Sequence, residues 1–363
     1  MAGPLTGLTI VELAGLGPGP FAAMMLADHG ARVIRVERPG NLSIPNDPLT
    51  RNRESIAVDL KQEEGREIVR RLAGRADGLI EGYRPGVMEK LGLGPDELLQ
   101  ANPRLIYGRV TGWGQTGPLA QDAGHDINYL ALTGLLSTIG EADRPPVPPL
   151  NLVADYAGGG LMLAFGMVSA LLAVQRGGPG QVIDAAMTDG AALTGALIFG
   201  MRAAGAWRDE RGANLLDGGE PLYGCYRCAD GKELALGAIE PQFRAALCQG
   251  LEIGPSPTKA EVAEAVAQRT RDEWVALFEG KNACVAPVLD LSEAPEHPHN
   301  RTRATFMEFG GVVQPRPAPR YSATPSHSPR APRAEGQDGP AILSELGYSE
   351  AEIADLSDKG VLR

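Results

Sequence analysis

The chain has 363 residues, 43% hydrophobic and 22% charged, the make-up of a globular protein long enough for more than one domain. Its net charge of −11 argues against a nucleic-acid partner, which would select a basic face. Met1–Leu13 lacks the basic start, apolar run and cleavage site of a secretory signal, and the longest apolar stretch, Leu161–Val174, is too short to span a bilayer. A cytoplasmic protein with no membrane partner is expected.

In chain order, "LTIVELAG" reads as a strand, "PGPFAAMMLADHG" as a helix closed by Gly30, and "ARVIRVERP" as a second strand. "SIAVDL" is a third strand, followed by the helix "KQEEGREIVRRLAGRA" with Ile68, Val69 and Leu72 on one side. "DGLIEGY" and "RLIYGRVTG" add two more strands. Strands alternating with helices imply a mostly parallel sheet covered on both faces, a Rossmann-like α/β layout. Helices are expected from Asp126 to about Ile139 and from about Tyr156 to Val174, then a strand at "GQVIDAAM".

The pattern divides the chain into a large Rossmann-like domain, 1–190, completed by helices in 338–363, then a linker helix, 191–218. A smaller α+β domain, 219–312, and a Pro/Arg-rich return linker, 313–337, follow. In the smaller domain Asp230-Gly231 marks a hairpin turn. Cys225 and Cys228 then point to opposite faces of one strand, so they read as reduced structural cysteines. His297 and His299 read as a Pro-rich loop without Cys or acidic ligands, and no metal is expected. Ser349 and Glu352 have the spacing of a capping box.

"GLGPGP", Gly15–Pro20, opens the first helix after a strand but departs from the dinucleotide fingerprint. Its prolines remove N–H donors where a pyrophosphate would need them. Arg38, Lys61, Arg84 and Lys90 follow strands, at the sheet edge where ligands bind. Together they suit a ligand with several phosphates; singly, each suits a solvated surface charge. His125 precedes an apolar helix face with Asp126 as its expected N-cap, which places the imidazole at a partly solvated helix entrance fit for a neutral base. Asp155 reads as another N-cap, and Glu240 as a carboxylate on the Leu234–Leu236–Ala238 face of a strand. Pattern alone does not join these three residues into one site.

"LTIVELAGLGPGPFAAMMLADHGARVIRVERPG", "IEGYRPGVMEKLGLGPDEL", "RLIYGRVTGWGQTGPLAQDAGHDINYLALTG" and "GQVIDAAMTDG" resemble the class III CoA-transferase superfamily, from Leu5 to Leu362. Within it they are most similar to the alpha-methylacyl-CoA racemase branch. Transferases of the superfamily use an aspartate nucleophile at the position of Asp155 and generally lack the histidine matched by His125; the racemases have both. The resemblance therefore implies an isomerase that interconverts (2R)- and (2S)-2-methylacyl-CoA thioesters, with CoA transfer between carboxylic acids as the alternative. It implies His125 and Asp155 as the two acid/base groups, and Glu240 orienting the histidine from the second subunit of an interlocked homodimer; the chemistry then calls for backbone donors to the enolate oxygen, expected from the helix start at Asp155. It further implies CoA contacts at Arg38, Val58, Gly82, Tyr83, Arg84 and Lys90, with Lys61 beside them, and a thioester end lined by Gly124, Asp126 and Tyr129. No cofactor separate from the CoA substrate is implied.

Overall fold

The computed structural model describes residues 3–40, 46–326 and 329–363. Six segments rich in Val and Ile form a parallel sheet: β1 (Thr9–Leu13), β2 (Arg32–Glu37), β3 (Arg53–Ala57), β4 (Gly78–Glu81), β5 (Ile106–Thr111) and β6 (Gln181–Ala186). Their order is β3-β2-β1-β4-β5-β6, so the winding reverses between β1 and β4. Ligands bind outside the carboxyl ends of strands at such a switch point. β4 and β5 are buried throughout, as strands covered on both faces must be.

The connecting helices are α1 (Pro18–Asp28), α2 (Glu63–Arg75), α3 (Val87–Lys90), α4 (Pro95–Ala101) and α5 (Asp126–Leu132). α2 buries Ile68, Val69, Leu72 and Ala73, the stripe its periodicity indicates. A wide π-helical segment, Leu152–Leu161, runs directly into α6 (Met162–Gln175), and α7 (Met187–Thr194) follows β6. The joined helix, Leu152–Gln175, has 24 residues rather than the nineteen or so expected from Tyr156 to Val174, and is long and apolar enough by composition to cross a membrane. Half of that window is buried. Its inner face is keyed to the sheet at two glycines: a Cβ on Gly78 would stand 2.6 Å from Met167 Cε, and one on Gly108 2.7 Å from Met167 Sδ.

Two compact units divide the chain: Met1–Thr133, Leu150–Thr194 and Ala304–Arg363 form the first, and Gly134–Pro149 with Gly195–Arg303 the second. Gly134–Pro149 thus departs from the expected 1–190 domain. Arg211 binds it within the second unit, donating to the carbonyl oxygens of Ser137 and Glu141. The second unit contains α8 (Ala196–Ala203) and the antiparallel strands β7 (Tyr223–Arg227), β8 (Glu233–Gly237) and β9 (Val285–Pro287). Gly231 makes the β7–β8 turn at φ 80°, and of the C-x-x-C pair Cys225 is exposed and Cys228 buried, both unbridged. Helices α9 (Pro241–Leu251), α10 (Lys259–Val266) and α11 (Arg271–Phe278) pack Leu247, Val262, Val266 and Trp274 onto this sheet. Thr258 with Glu261 and Thr270 with Glu273 cap α10 and α11 reciprocally. His299 lies in a short helix, α12 (Pro298–Arg303), rather than in a loop.

The hairpin β10 (Phe306–Phe309) and β11 (Val312–Pro315) returns the chain to the first unit, earlier than the expected boundary at 312. Arg51 Nη1 fixes it there, donating to Gln314 Oε1 and the carbonyl of Pro315, both at 2.8 Å. Helices α13 (Gly339–Glu345) and α14 (Glu350–Asp358) place Ile342, Leu343 and Leu356 in the core beside Ile56 and Ile68. Ser349 and Glu352 form the anticipated capping box of α14.

Candidate active site

The loops after β1, β4 and β5 meet at the switch point and enclose a cavity of about 290 Å³. Gly15, Leu16, Pro18 and Pro20 form one wall, Gly82, Tyr83 and Arg84 another, and Gly124, His125 and Tyr129 a third. Proline at 18 and 20 puts two residues without N–H donors in the first turn of α1. His125 is itself the N-cap of α5: its backbone is extended (φ −134°, ψ 173°), its N–H donates to Asn128 Oδ1 at 3.0 Å, and its side chain is exposed. Tyr129 is fixed below it, edge-on to Trp113 with ring centroids 4.8 Å apart and its hydroxyl donating to the Gly124 carbonyl. Burial, and secondarily the charge of Asp155, raise the Tyr129 phenol above its ordinary pKa against the opposing charge of Arg84. The phenol therefore stays protonated near neutral pH.

Asp126 has a different place from the one its sequence position suggests. It is the first residue of α5 rather than its cap, and only 5% exposed, so it does not line the cavity beside Gly124 and Tyr129. Its Oδ2 accepts the N–H of Ala154 at 2.7 Å and of Asp155 at 2.8 Å. A helix start leaves its first N–H groups without intrahelical partners, and this carboxylate satisfies two of them from a neighbouring helix. Two consequences follow. Asp155 is a residue of the first turn, with Asn151 as the N-cap. Its N–H is already donated and so does not hold an enolate oxygen in this arrangement, contrary to expectation.

The Asp155 side chain is half-buried, with Oδ2 accepting from Asn151 Nδ2 at 3.4 Å. Burial pushes its carboxyl pKa up, the Asn151 bond opposes this, the Asp126 charge adds to the rise, and the charge of His125 opposes it. Asp155 and His125 are therefore within electrostatic reach of each other. Asp155 opens into a second cavity, of about 600 Å³, which has Gly15, Leu16 and Pro20 in common with the first. Gly17 of the same loop lines the second cavity at φ 67°, and a Cβ there would lie 3.3 Å from Asp155 Oδ2. His125 and Asp155 thus line adjoining cavities that share residues of one Gly/Pro loop.

Of the remaining expected contacts, Arg38 and Lys61 line a third cavity of about 190 Å³ together with Asp59 and Arg363. Neither has an ion-pair partner among the described residues. Val58 is 1% exposed, forms a bridge with Leu362 and lines none of these three cavities. Lys90 is exposed at the end of α3 and lines none of these three cavities. Glu240 lies in the second unit, as the exposed N-cap of α9. β8 ends at Gly237, so the buried run of Leu234, Leu236 and Ala238 stops short of Glu240. The roles of Asn151 and Gly17 were not legible in the sequence. No spacing rule marks an asparagine four residues before an aspartate, and Gly17 was visible only as part of "GLGPGP".

A model of CoA-transferase family III matches residues 5–339. The chain belongs to CoA-transferase family III. Among members of that family it is 48% identical to alpha-methylacyl-CoA racemase of Mus musculus, over 97% of this chain and 96% of the relative. It is 46% identical to alpha-methylacyl-CoA racemase of Homo sapiens, over 98% and 97% respectively. Among solved structures it resembles a CAIB/BAIF family protein from Brucella suis, with a TM-score of 0.82, 29% identity, and coverage of 95% of this chain and all of that one. The family assignment agrees with the mixed α/β fold and its six-stranded parallel sheet.

Proposed function

We propose that the protein is an isomerase that interconverts (2R)- and (2S)-2-methylacyl-CoA thioesters by two-base transfer of the α-proton. The observation that carries this reading is that His125 and Asp155 line adjoining cavities, which share Gly15, Leu16 and Pro20, and lie within electrostatic reach of each other. A transferase needs only the aspartate; a racemase needs a second base for the other face of the α-carbon. The relatives named alpha-methylacyl-CoA racemase support the same choice.

For one enantiomer, a neutral His125 nitrogen takes the α-proton. The C–H electron pair moves into the C–C bond, and the thioester carbonyl becomes an enolate oxygen. Protonated Asp155 then returns a proton to the opposite face, leaving imidazolium and carboxylate, the states from which the reverse reaction starts. A carboxyl held above its ordinary pKa by burial gives up its proton less readily in the resting enzyme and accepts one more readily from carbon. Glu240 of the partner subunit would orient the histidine in a homodimer, and Arg38, Lys61, Tyr83, Arg84 and Lys90 would hold CoA. CoA is part of the substrate, and no further cofactor enters the scheme.

The test is proton NMR of an enantiopure 2-methylacyl-CoA in D₂O with the purified protein. Loss of the α-proton signal with inversion, without a second acid, supports racemisation. His125→Ala should abolish it. CoA transfer to an added carboxylate, with no α-exchange, would establish the transferase activity instead. Sedimentation of the same preparation measures the homodimer.

A further inference from the structure

Beneath the loop that carries Gly82, Tyr83, Arg84 and Lys90 lies a buried ionic tie that none of the chemistry above uses. Glu81 ends β4 with no exposed surface, and its partner across the parallel register is Arg109 of β5. Glu81 Oε1 accepts from Arg109 Nε at 2.7 Å, while Oε2 accepts the backbone N–H of Tyr83 at 2.7 Å. The other end of the same guanidinium grips α3: Nη1 donates to Glu89 Oε1 at 2.7 Å and Nη2 to Glu89 Oε2 at 3.3 Å. Arg109 also lies over the Tyr107 ring, 5.8 Å from its centroid, and is itself only 5% exposed. Between the two carboxylates the chain turns through Pro85 and Gly86, the latter at φ 84°, with Val87 N–H donating to the Arg84 carbonyl at 3.1 Å.

We infer that Glu81, Arg109 and Glu89 are positioning residues for the CoA-contacting segment, holding Tyr83 and Arg84 at one end and Lys90 at the other in their binding geometry before CoA arrives. The inference rests on the proposed reading that this segment contacts CoA. Its physical basis is preorganisation. A loop that must be ordered by its ligand lowers the apparent affinity by the fraction of time it is competent, and a clamp anchored in the core removes that penalty. The tie is asymmetric in a useful way. Glu81 is sealed in the sheet, whereas the Glu89 side chain is 41% exposed, so the outer half can be cut without opening the core. Neither carboxylate lines the His125 cavity, so the clamp reaches that cavity only through the Tyr83 and Arg84 it holds.

The variants are Glu89→Gln, which weakens the outer grip, and Glu81→Gln, which keeps an acceptor for Tyr83 N–H but sets an amide against Arg109. Glu89→Asp is the conservative control. Calorimetry gives the Kd for free CoA, the NMR exchange assay gives KM and kcat, and thermal unfolding gives Tm. Glu89→Gln should raise Kd and KM together by roughly five- to thirty-fold, as expected for losing a charge-assisted pair, with kcat within two-fold and Tm little changed. Glu89→Asp should recover part of the affinity. Unchanged Kd and KM in Glu89→Gln, with wild-type protein binding CoA normally, would overturn the inference alone, as would a kcat loss that merely follows the folded fraction. Failure of the wild-type protein to bind CoA would overturn the functional reading and this inference with it.

Discussion

Asp126 offers the sharpest quantitative test, because one buried carboxylate both holds the Asp155 backbone and biases its titration. Asp126→Asn removes the charge and leaves an amide in its place. To keep accepting from Ala154 and Asp155 the amide must turn its oxygen toward them. Its NH₂ then occupies the position of Asp126 Oδ1, which has no hydrogen-bond partner among the described residues. Downgrading two charge-assisted bonds to neutral ones costs about 1 kcal/mol each, and stranding a buried donor about 1–3 kcal/mol more. A total loss near 3–5 kcal/mol is expected from urea unfolding at neutral pH. The titration gives a second, independent reading. Among the causes of the raised Asp155 pKa, burial is first and the Asp126 charge is another in the same direction. Removing that charge lowers the Asp155 pKa, so the carboxylate form persists to more acidic pH. In the direction that uses Asp155 as the base, the acid limb of kcat against pH should move down. In the direction that needs protonated Asp155, kcat should fall above the new pKa. An unshifted acid limb in a folded variant would refute the proposed coupling, and a shift upward would reverse its sign.

Other substitutions test the surrounding geometry. Gly17→Ala forces a Cβ into a left-handed backbone position, at about 1–2 kcal/mol, and presses it to 3.3 Å from Asp155 Oδ2; NMR exchange should show kcat reduced by roughly ten-fold or more. Arg51→Met breaks a buried ion pair in which Arg51 Nη2 meets Asp28 Oδ2 at 2.5 Å, leaving Asn52 as the side-chain hydrogen-bond donor to Asp28 among the described residues. A stability loss of about 3–5 kcal/mol is expected by denaturant unfolding. Thr270→Ala removes one half of the α11 capping box and should cost about 1 kcal/mol in the same measurement while leaving exchange kinetics unchanged.

The sheet and its helices were readable from the chain because hydrophobic periodicity and cap chemistry are local. The six strands, the stripe on α2 and the box at Ser349 all follow from residues within a few positions of one another. The candidate site was legible only in part. His125 was visible as a polar residue at a helix entrance, but the choice between it and Asp126 as the cap turned on a contact 28 residues away, the N–H of Ala154. The boundary at Gly134–Pro149 was invisible for a related reason. Arg211, which binds that segment within the second unit, lies some seventy residues downstream. For Glu240, alternation correctly placed Leu234, Leu236 and Ala238 inside, but strand periodicity does not reveal where β8 gives way to α9.

Met167 has a role that its distance from the cavities conceals. Asp155 and Met167 belong to one uninterrupted helical rod, twelve residues apart, or roughly 18 Å along its axis. The thioether end sits in the notch made by Gly78 and Gly108, so that notch sets how far along the sheet the rod can slide. A methyl group added at either glycine would act as a lever, displacing the carboxylate at the far end while every residue around the substrate stays chemically intact. Loss of activity through the backs of β4 and β5 is therefore a route open to this fold, and it would be mistaken for a defect of packing alone unless the kinetics of proton exchange were measured alongside stability.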